Sequence, residues 1–371
     1  MPWALANRGT AWRQGELLVL EDFAHWPEDV ARLFAAASTQ DFQSGASWFA
    51  NFVATVELEP AKPKVYVWRE EGQAVAALPV LVMPQARGAG HTVSSLGNYY
   101  TTRFAPVVAA AVDEDAVIEK LIAGVMHSES PVHSLKFTAL AGGSATETAL
   151  RRALRRAGCA VFGYHAFQNW MLPVRGDWPS YLAQRDGKLR TTLSRMGKRF
   201  AARGGRLTLV QGEAGLDQAI AAYERVYAAS WKAAEPHPRF MPGLIRAAGR
   251  SGQLRLGLAW LGEQPVAAQV WIVAGERADI YKLAHDEAHK ETSPGSLLTA
   301  MLMQHVFEQD RVKLVDYLSG DDAYKRLWMS ELHERRGLIA FNRRSARGLA
   351  GAARESIGRL LRPLRRRAMA A

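Results

Sequence analysis

Apolar residues recur along this chain with two periods, and the switches between them lay out its elements. Residues 17–23, LLVLEDF, read as a strand. In residues 27–38 a proline and two acids precede Val30, Leu33, Phe34 and Ala37, the spacing of a helix with one buried face. Two β-type runs within 64–83 turn at Glu71-Gly72-Gln73, which predicts a hairpin. Residues 113–129 read as a helix, 132–140 as a strand, and 144–159 as a helix ending at Gly158. A new unit starts near Phe167, with a strand over 167–174. A helix follows with Leu189, Leu193, Met196 and Phe200 on one face and a Gly204-Gly205 stop. Then come a strand at 206–212 and a helix aligned on Leu216, Ile220, Tyr223 and Tyr227. After a proline-rich loop and a short helix, strands at 253–261, 265–274 and 278–285 are joined by turns at Gly262-Glu263-Gln264 and Gly275-Glu276-Arg277. Short glycine turns of this kind predict an antiparallel meander. Ser293 suits a helix N-cap and Pro294 the first helical position, ahead of an inward stripe of Leu298, Met301, Leu302, His305 and Val306. A strand at 312–318, a helix from about Tyr324 and a strand at 337–342 complete the pattern, and no sequence repeat is evident.

Length changes this picture little: 371 residues suit two domains. Charge changes it more. From Arg343 to the end there are nine arginines against Glu355, so that segment carries +8 of the net +11 and leaves about +3 for the rest. The basic character therefore belongs to a tail. In that tail Ala353, Ile357, Leu360, Leu361 and Leu364 recur at helical spacing with arginines between them. The pattern fits an amphipathic helix on an anionic membrane surface. Gly348, Gly351 and Gly358 favour disorder instead. Cys159 stands alone, so no internal disulfide forms, which fits a reducing compartment. The opening residues lack a basic segment followed by an apolar run, and no apolar run approaches about 18 residues. The expectation is a cytoplasmic protein, peripheral to the inner membrane face if the tail binds lipid.

From residue 206 the order is strand, two helices, three antiparallel strands, helix, strand, helix, strand. This order resembles the GNAT acyltransferase superfamily. The stretches YERVYAASWKAAEPHPRF, IYKLAHDEAHKETSPGSLL and VDYLSGDDAYKRLW are similar to CelD/BcsL-type acetyltransferases of that superfamily. These look like distant relatives of the Fem-type aminoacyltransferases that build peptidoglycan cross-bridges. The matching part runs from about Phe167 to Phe341, and WPSYLAQRDGKLRTTLSRMGKRF resembles the basic helix that opens the family's domain. FQSGASWF and LGNYYTTRFAPVV look like its more variable first half.

The resemblance implies an α/β (α+β) fold of two GNAT-like domains, each a mixed, mostly antiparallel sheet flanked by helices. The expected division is a degenerate domain at 1–165, an acyltransferase domain at 166–345 and a basic tail at 346–371. It also implies acetyl-CoA or another acyl-CoA as co-substrate, no metal, and an amine or hydroxyl acceptor on a sugar or cell-envelope precursor. A helix N-terminus offers unpaired N–H donors and a positive dipole end to a pyrophosphate. Ser293, Gly295 and Ser296 with Lys290 are the candidate cofactor residues. Asp316 would orient or deprotonate the acceptor, Tyr324 would protonate the departing thiolate, and Lys325 would pair with a phosphate or with Asp316. Tyr281 would face the same region, and Trp231, Lys232 and Glu235 would border the acceptor. The competing readings are a structural ion pair of Asp316 with Lys325, and core packing for Trp231. Two other functions stay open: a Fem-like transferase using aminoacyl-tRNA, and a non-catalytic adaptor of an envelope assembly.

Three motifs lead nowhere. His285 and His289 in HDEAH lack the Glu directly after the first His that a zinc-protease helix needs. Cys159 has no partner nearby in sequence, and Gly88-Ala89-Gly90 lacks the rest of a dinucleotide fingerprint. Arg190, Arg195, Lys198, Arg199 and Arg203 read as the solvated face of an amphipathic helix. Nucleic acid is not an expected partner.

Overall fold

The computed structural model describes residues 15–86 and 89–368. Residues 1–14 and Gly88, on which two of the readings above touch, lie outside the described residues, as does the side chain of Leu364.

The chain runs β1 (Gly15–Leu20), α1 (Glu28–Gln40), α2 (Ala46–Thr55), β2 (Lys62–Glu70), β3 (Gln73–Pro84), β4 (His91–Ser95), β5 (Val107–Val108), α3 (Glu114–Ser128), β6 (Val132–Ala141), α4 (Ala145–Arg156) and β7 (Cys159–Pro173). After α5 (Trp178–Ala183) and α6 (Gly187–Ala202) come β8 (Gly205–Val210), α7 (Leu216–Ala228), α8 (Phe240–Arg250), β9 (Leu254–Leu261), β10 (Gln264–Ala274) and β11 (Arg277–His285). Helix α9 (Pro294–Glu308), β12 (Leu314–Ser319), β13 (Glu331–Asn342) and α10 (Ala346–Ala368) close the described chain.

One 13-stranded sheet holds all the strands among the described residues, in the order β1-β2-β3-β4-β6-β13-β7-β12-β11-β10-β9-β8, with β5 on β3. Strands β1 to β4 pair antiparallel and β4 pairs parallel with β6; likewise β8 to β11 pair antiparallel and β11 pairs parallel with β12. The two halves thus repeat one architecture, each with two helices before its meander and a crossover helix before its parallel strand. Their borders are exchanged. β13, last in the second half, pairs with β6 of the first, while β7 pairs with both β13 and β12. The 165/166 division therefore falls inside a strand that joins the halves.

Packing joins them too. On one face of the sheet α1 and α2 share a core with α7 and α8, where Trp48 meets Phe240 edge-on at 5.5 Å. On the other face α3 and α4 cover the first half, and α5, α6 and α9 the second, as separate cores.

Two local expectations change. The helix foreseen from Tyr324 is only a 3-10 turn, Ala323–Leu327, because β13 starts at Glu331 and leaves no room for more. The tail is a docked helix: Cβ atoms at Gly348 and Gly351 would fall 2.1 Å from the Asn342 carbonyl and 2.5 Å from the Phe341 ring. These glycines permit close approach, and Arg359 adds a hydrogen bond of 2.7 Å to the Gly163 carbonyl.

Candidate active site

The parallel pairing of β11 with β12 runs from Arg277–Leu314 to Asp279–Asp316 and stops. Beyond it β11 bulges, Val270 facing Lys282 and Trp271 facing Ile280, so Tyr281 is the extra residue. β12 breaks register on β7 between Asp316 and Ser319, and Leu318 takes a φ of +54°. Bulges bend strands apart and re-aim side chains. Two adjoining cavities of about 310 Å³ each lie at this opening, and Leu283, Tyr317 and Tyr324 border both.

The first cavity is lined by Lys290, Ser293, Pro294, Gly295 and Ser296 at the start of α9, with Gln269, His285, Thr299 and Trp231 around them. Ser293 is the N-cap, as the sequence suggests, but its φ is +51° and its side chain makes no capping bond. The first turn carries no acid, and a Cβ on Gly295 would meet nothing closer than His285 Nδ1 at 3.6 Å. Gln269 fixes this turn from the sheet, donating to the Gly295 carbonyl at 2.9 Å and to Thr299 Oγ1 at 2.8 Å. The equivalent helix of the first half is built the opposite way. The Asp113 side chain accepts from Asp115 and Ala116 N–H, and Glu114 and Asp115 fill the first turn of α3. An anion meets a turn without acids or a side-chain cap at α9, and carboxylates at α3.

The second cavity is lined by Lys232, Lys282, Lys325 and Asp322, by Tyr281, and by Tyr99, Tyr100 and Thr102 from the first half. Lys282 Nζ lies 2.6 Å from Glu235 Oε1, and the Tyr100 hydroxyl donates to Glu235 Oε2 at 2.7 Å. Burial works against the Glu235 carboxylate, but the bonds from Lys282 and Tyr100 outweigh it and hold its pKa below the usual range. The Tyr281 hydroxyl is committed to the Tyr100 carbonyl at 2.7 Å. Lys325 Nζ folds back on the Ser319 and Gly320 carbonyls and lies 3.3 Å from Asp322 Oδ2; burial lowers its pKa. Burial of Tyr324 raises its pKa, so the phenol stays protonated at neutral pH.

Asp316 lines neither cavity. It is 0 % exposed, accepts from Leu318 N at 2.8 Å and Asn169 Nδ2 at 3.0 Å, and is ion-paired with Arg277 and Arg335. Arg103 completes the cluster from the first half, bonding Asp41 and Asp279 at 2.6 Å each. Burial pushes Asp279 upward, but the Arg103 and Arg277 charges outweigh it and keep it ionised. Asp316 is thus a strut between the halves, which corrects the expectation of a base, and its partners are arginines rather than Lys325. A pattern search could not have found them, because Arg103 is remote in sequence.

The remaining candidates divide between the cavities. Trp231 is 51 % exposed, so it is no core residue, and its ring lies 4.6 Å from His285 in the first cavity rather than the second. Lys290 reaches the first cavity from the surface and pairs with Glu287 at 3.3 Å. Lys232 and Lys325 line the second cavity, and Glu235 supports it through Lys282. Asp322, two residues before Tyr324, is the carboxylate to which the sequence analysis gave no role; the fold places both in that lining. No metal-holding group of His, Cys, Asp and Glu is found among the described residues.

Residues 187–326 match the profile of the acetyltransferase (GNAT) domain family. Comparison with curated proteins finds no match. Among solved structures, FemX is similar at 10% identity and a TM-score of 0.61, covering 88% of this chain and 97% of its own. The C-terminal domain of a putative lysylphosphatidylglycerol synthetase from Agrobacterium fabrum is similar at 14% identity and a TM-score of 0.52, over 87% of this chain and 94% of its own. L-PGS from Bacillus licheniformis gives 11% and 0.51, over 90% and 97%. At these identities the likeness is one of fold.

Proposed function

We propose that this protein transfers an acyl group, acetyl first among the candidates, from acyl-CoA to an amine or hydroxyl of a sugar or cell-envelope precursor. The observation that carries this reading is the junction at Tyr324: one cavity opens on the uncapped start of α9, the other on a polar, lysine-lined wall, and Tyr324 borders both. The match of residues 187–326 to the GNAT domain profile supports it.

A CoA thioester supplies an already activated acyl group, so positioning and proton transfer are the protein's share. The start of α9 and Lys290 would receive the pyrophosphate in the first cavity. The acceptor would enter the second, its nucleophilic atom reaching the junction. Asp322 would take the proton that the acceptor loses on forming its bond to the acyl carbon, directly or through a water. Tyr324 would give its proton to sulfur as the carbon–sulfur bond breaks. The acidic cap of α3 leaves the first half without an equivalent donor site, and its contribution is the acceptor wall at Tyr99, Tyr100 and Thr102. The test is calorimetry with acetyl-CoA and longer acyl-CoAs. Binding lost in Gly295→Trp supports the reading, and no binding of any acyl-CoA to the wild type ends it.

One observation favours a second reading, a transferase that takes its acyl group from aminoacyl-tRNA. Arg190, Arg195 and Lys198 of α6 line an open depression of about 600 Å³ with Thr191 and Ser194. Helix α6 packs against α9, where Gly197 faces Leu297. A polyanion running from the first cavity could follow this face. Turnover that needs charged tRNA and ignores acyl-CoA would select this reading.

The tail supports membrane contact as part of the proposal. Helix α10 buries Gly348 and Gly351 and leaves Leu349, Ile357, Leu360 and Leu361 exposed, at 53, 56, 74 and 42 %. Apolar side chains flanked by arginines match an interface of anionic lipid. No described helix is long and apolar enough to cross a membrane.

A further inference from the structure

The charges around the second cavity do not cancel in pairs. Lys282 has Glu235 at 2.6 Å, and Lys325 has Asp322 at 3.3 Å together with two backbone carbonyls. Lys232 lines the same cavity, and no carboxylate forms an ion pair with it among the described residues. Its nearest aromatic contact is the Trp231 ring, with Nζ 5.6 Å from the centroid. The groups facing it from the surrounding elements are Lys282 on β11 and Lys325 after β12, which repel it, and Glu235 and Asp322, which attract it but are committed to those two lysines. A partly buried ammonium without a counter-ion is costly, and its cost is relieved by a ligand that brings the missing charge.

We propose that the acyl acceptor is an anion, an amine or hydroxyl compound that also bears a phosphoryl or carboxylate group, and that Lys232 is the cation that receives this group in the second cavity. The proposal rests on the acyl-transfer reading only for the role of the cavity. The cavity chemistry fits a compact polar anion. Lys232 supplies the charge, Thr102 and Ser319 add polar groups to the lining, and Tyr99, 54 % exposed at the mouth, offers a ring against which the acceptor's body can lie. Tyr99 and Thr102 come from the first half, so the partner that selects the acceptor is the half without a donor site of its own. Burial, helped by Lys282, brings the Lys232 ammonium down to about 8. Anion binding should therefore weaken as pH rises through that region, because the cation that attracts the ligand is lost.

The experiment uses the full chain and two probes, inorganic phosphate and succinate, each with and without saturating CoA. Lys232 is followed by an amine-reactive ester and peptide mass spectrometry, and anion affinity by calorimetry in wild type and Lys232→Met. We expect Lys232 to be labelled faster than the exposed Lys290 at pH 8 and to be protected by at least one anion whether or not CoA is present. Lys232→Met should weaken that anion about ten- to a hundredfold, the worth of one charge-assisted hydrogen bond. Succinate, fully ionised throughout, should lose about tenfold in wild type between pH 7 and pH 9 and little in the variant. The better-protecting probe identifies the acceptor's group as phosphoryl or carboxylate. Anion binding displaced by CoA, unaffected by Lys232→Met, or absent for both probes overturns the proposal. If Lys232 is protected and acyl-CoA does not bind, the anion site stands and the acyl-transfer reading falls.

Discussion

The rings of Tyr317 and Tyr324 meet edge to face, centroids 5.5 Å apart, where the two cavities join. Tyr317 is nearly buried, whereas Tyr324 is 40 % exposed, so the inner ring supports the outer one without occupying the space it borders. Tyr324→Phe keeps this contact and removes only the hydroxyl. It should lower turnover about 10²–10⁴-fold, the usual worth of a general acid, with acyl-CoA affinity unchanged. Single-turnover kinetics beside calorimetry separates the two, and a fall in affinity equal to the fall in rate would count against the assignment.

At Gly295 size should matter and the first methyl should not. A Cβ there meets His285 at ordinary contact distance, so Gly295→Ala should fold and bind acyl-CoA nearly as the wild type does. Gly295→Trp should fold and bind at least tenfold more weakly, about 1.4 kcal/mol or more. Thermal melting with and without ligand reads both effects.

Asp316→Asn should be a stability variant. It leaves Arg277 and Arg335 facing a neutral amide in a buried site, and breaking such a network costs about 3–5 kcal/mol. Urea unfolding should show that loss, while activity per folded molecule stays within about threefold, a difference of less than about 0.7 kcal/mol. A stable, inactive Asp316→Asn would restore the base assignment.

A second buried pair sets an acid-side dependence. Glu129 accepts from Lys64 Nζ at 2.7 Å and from the Tyr66 hydroxyl. Burial raises the Glu129 pKa, but the bonds from Lys64 and Tyr66 outweigh it and the net shift is downward. A carboxylate lowered on folding contributes stability above its unfolded value, about 4.3, and loses it as pH falls through the folded value. Lys64 is raised, so its share is present below about 10.4 and is lost as pH rises through its folded value. Glu129→Gln should cost about 1–3 kcal/mol at pH 7 and flatten the acid limb of the stability curve.

The open stripe of α10 can be tested without removing the helix. Ile357→Asp with Leu360→Asp should leave the fold intact, since both side chains are exposed, and should abolish sedimentation with anionic vesicles. Wild-type binding should weaken with salt through screening. Binding that ignores lipid charge or survives the double substitution would exclude the stripe.

The sequence by itself determined most elements, because each is a local matter of period, turn and cap. The hairpin at Glu71-Gly72-Gln73, the meander from β9 to β11 and the Pro294 start of α9 are all written in neighbouring residues, and so was the helix end that opens on the first cavity. The structure decided what depends on pairing between distant segments. The repeat of one architecture in both halves was implied by the family resemblance and not by any repeat of residues, since a backbone path can recur while its side chains diverge; that the halves merge into one sheet was not. The exchange of β7 and β13 is a choice of partner, which a strand's own residues do not encode. The aspartate at 316 looks the same to a sequence reader whether it faces a substrate or three arginines. Arg103, brought to it across the sheet, decided that it is a buried strut and left Asp322 and the unpaired Lys232 facing the cavity.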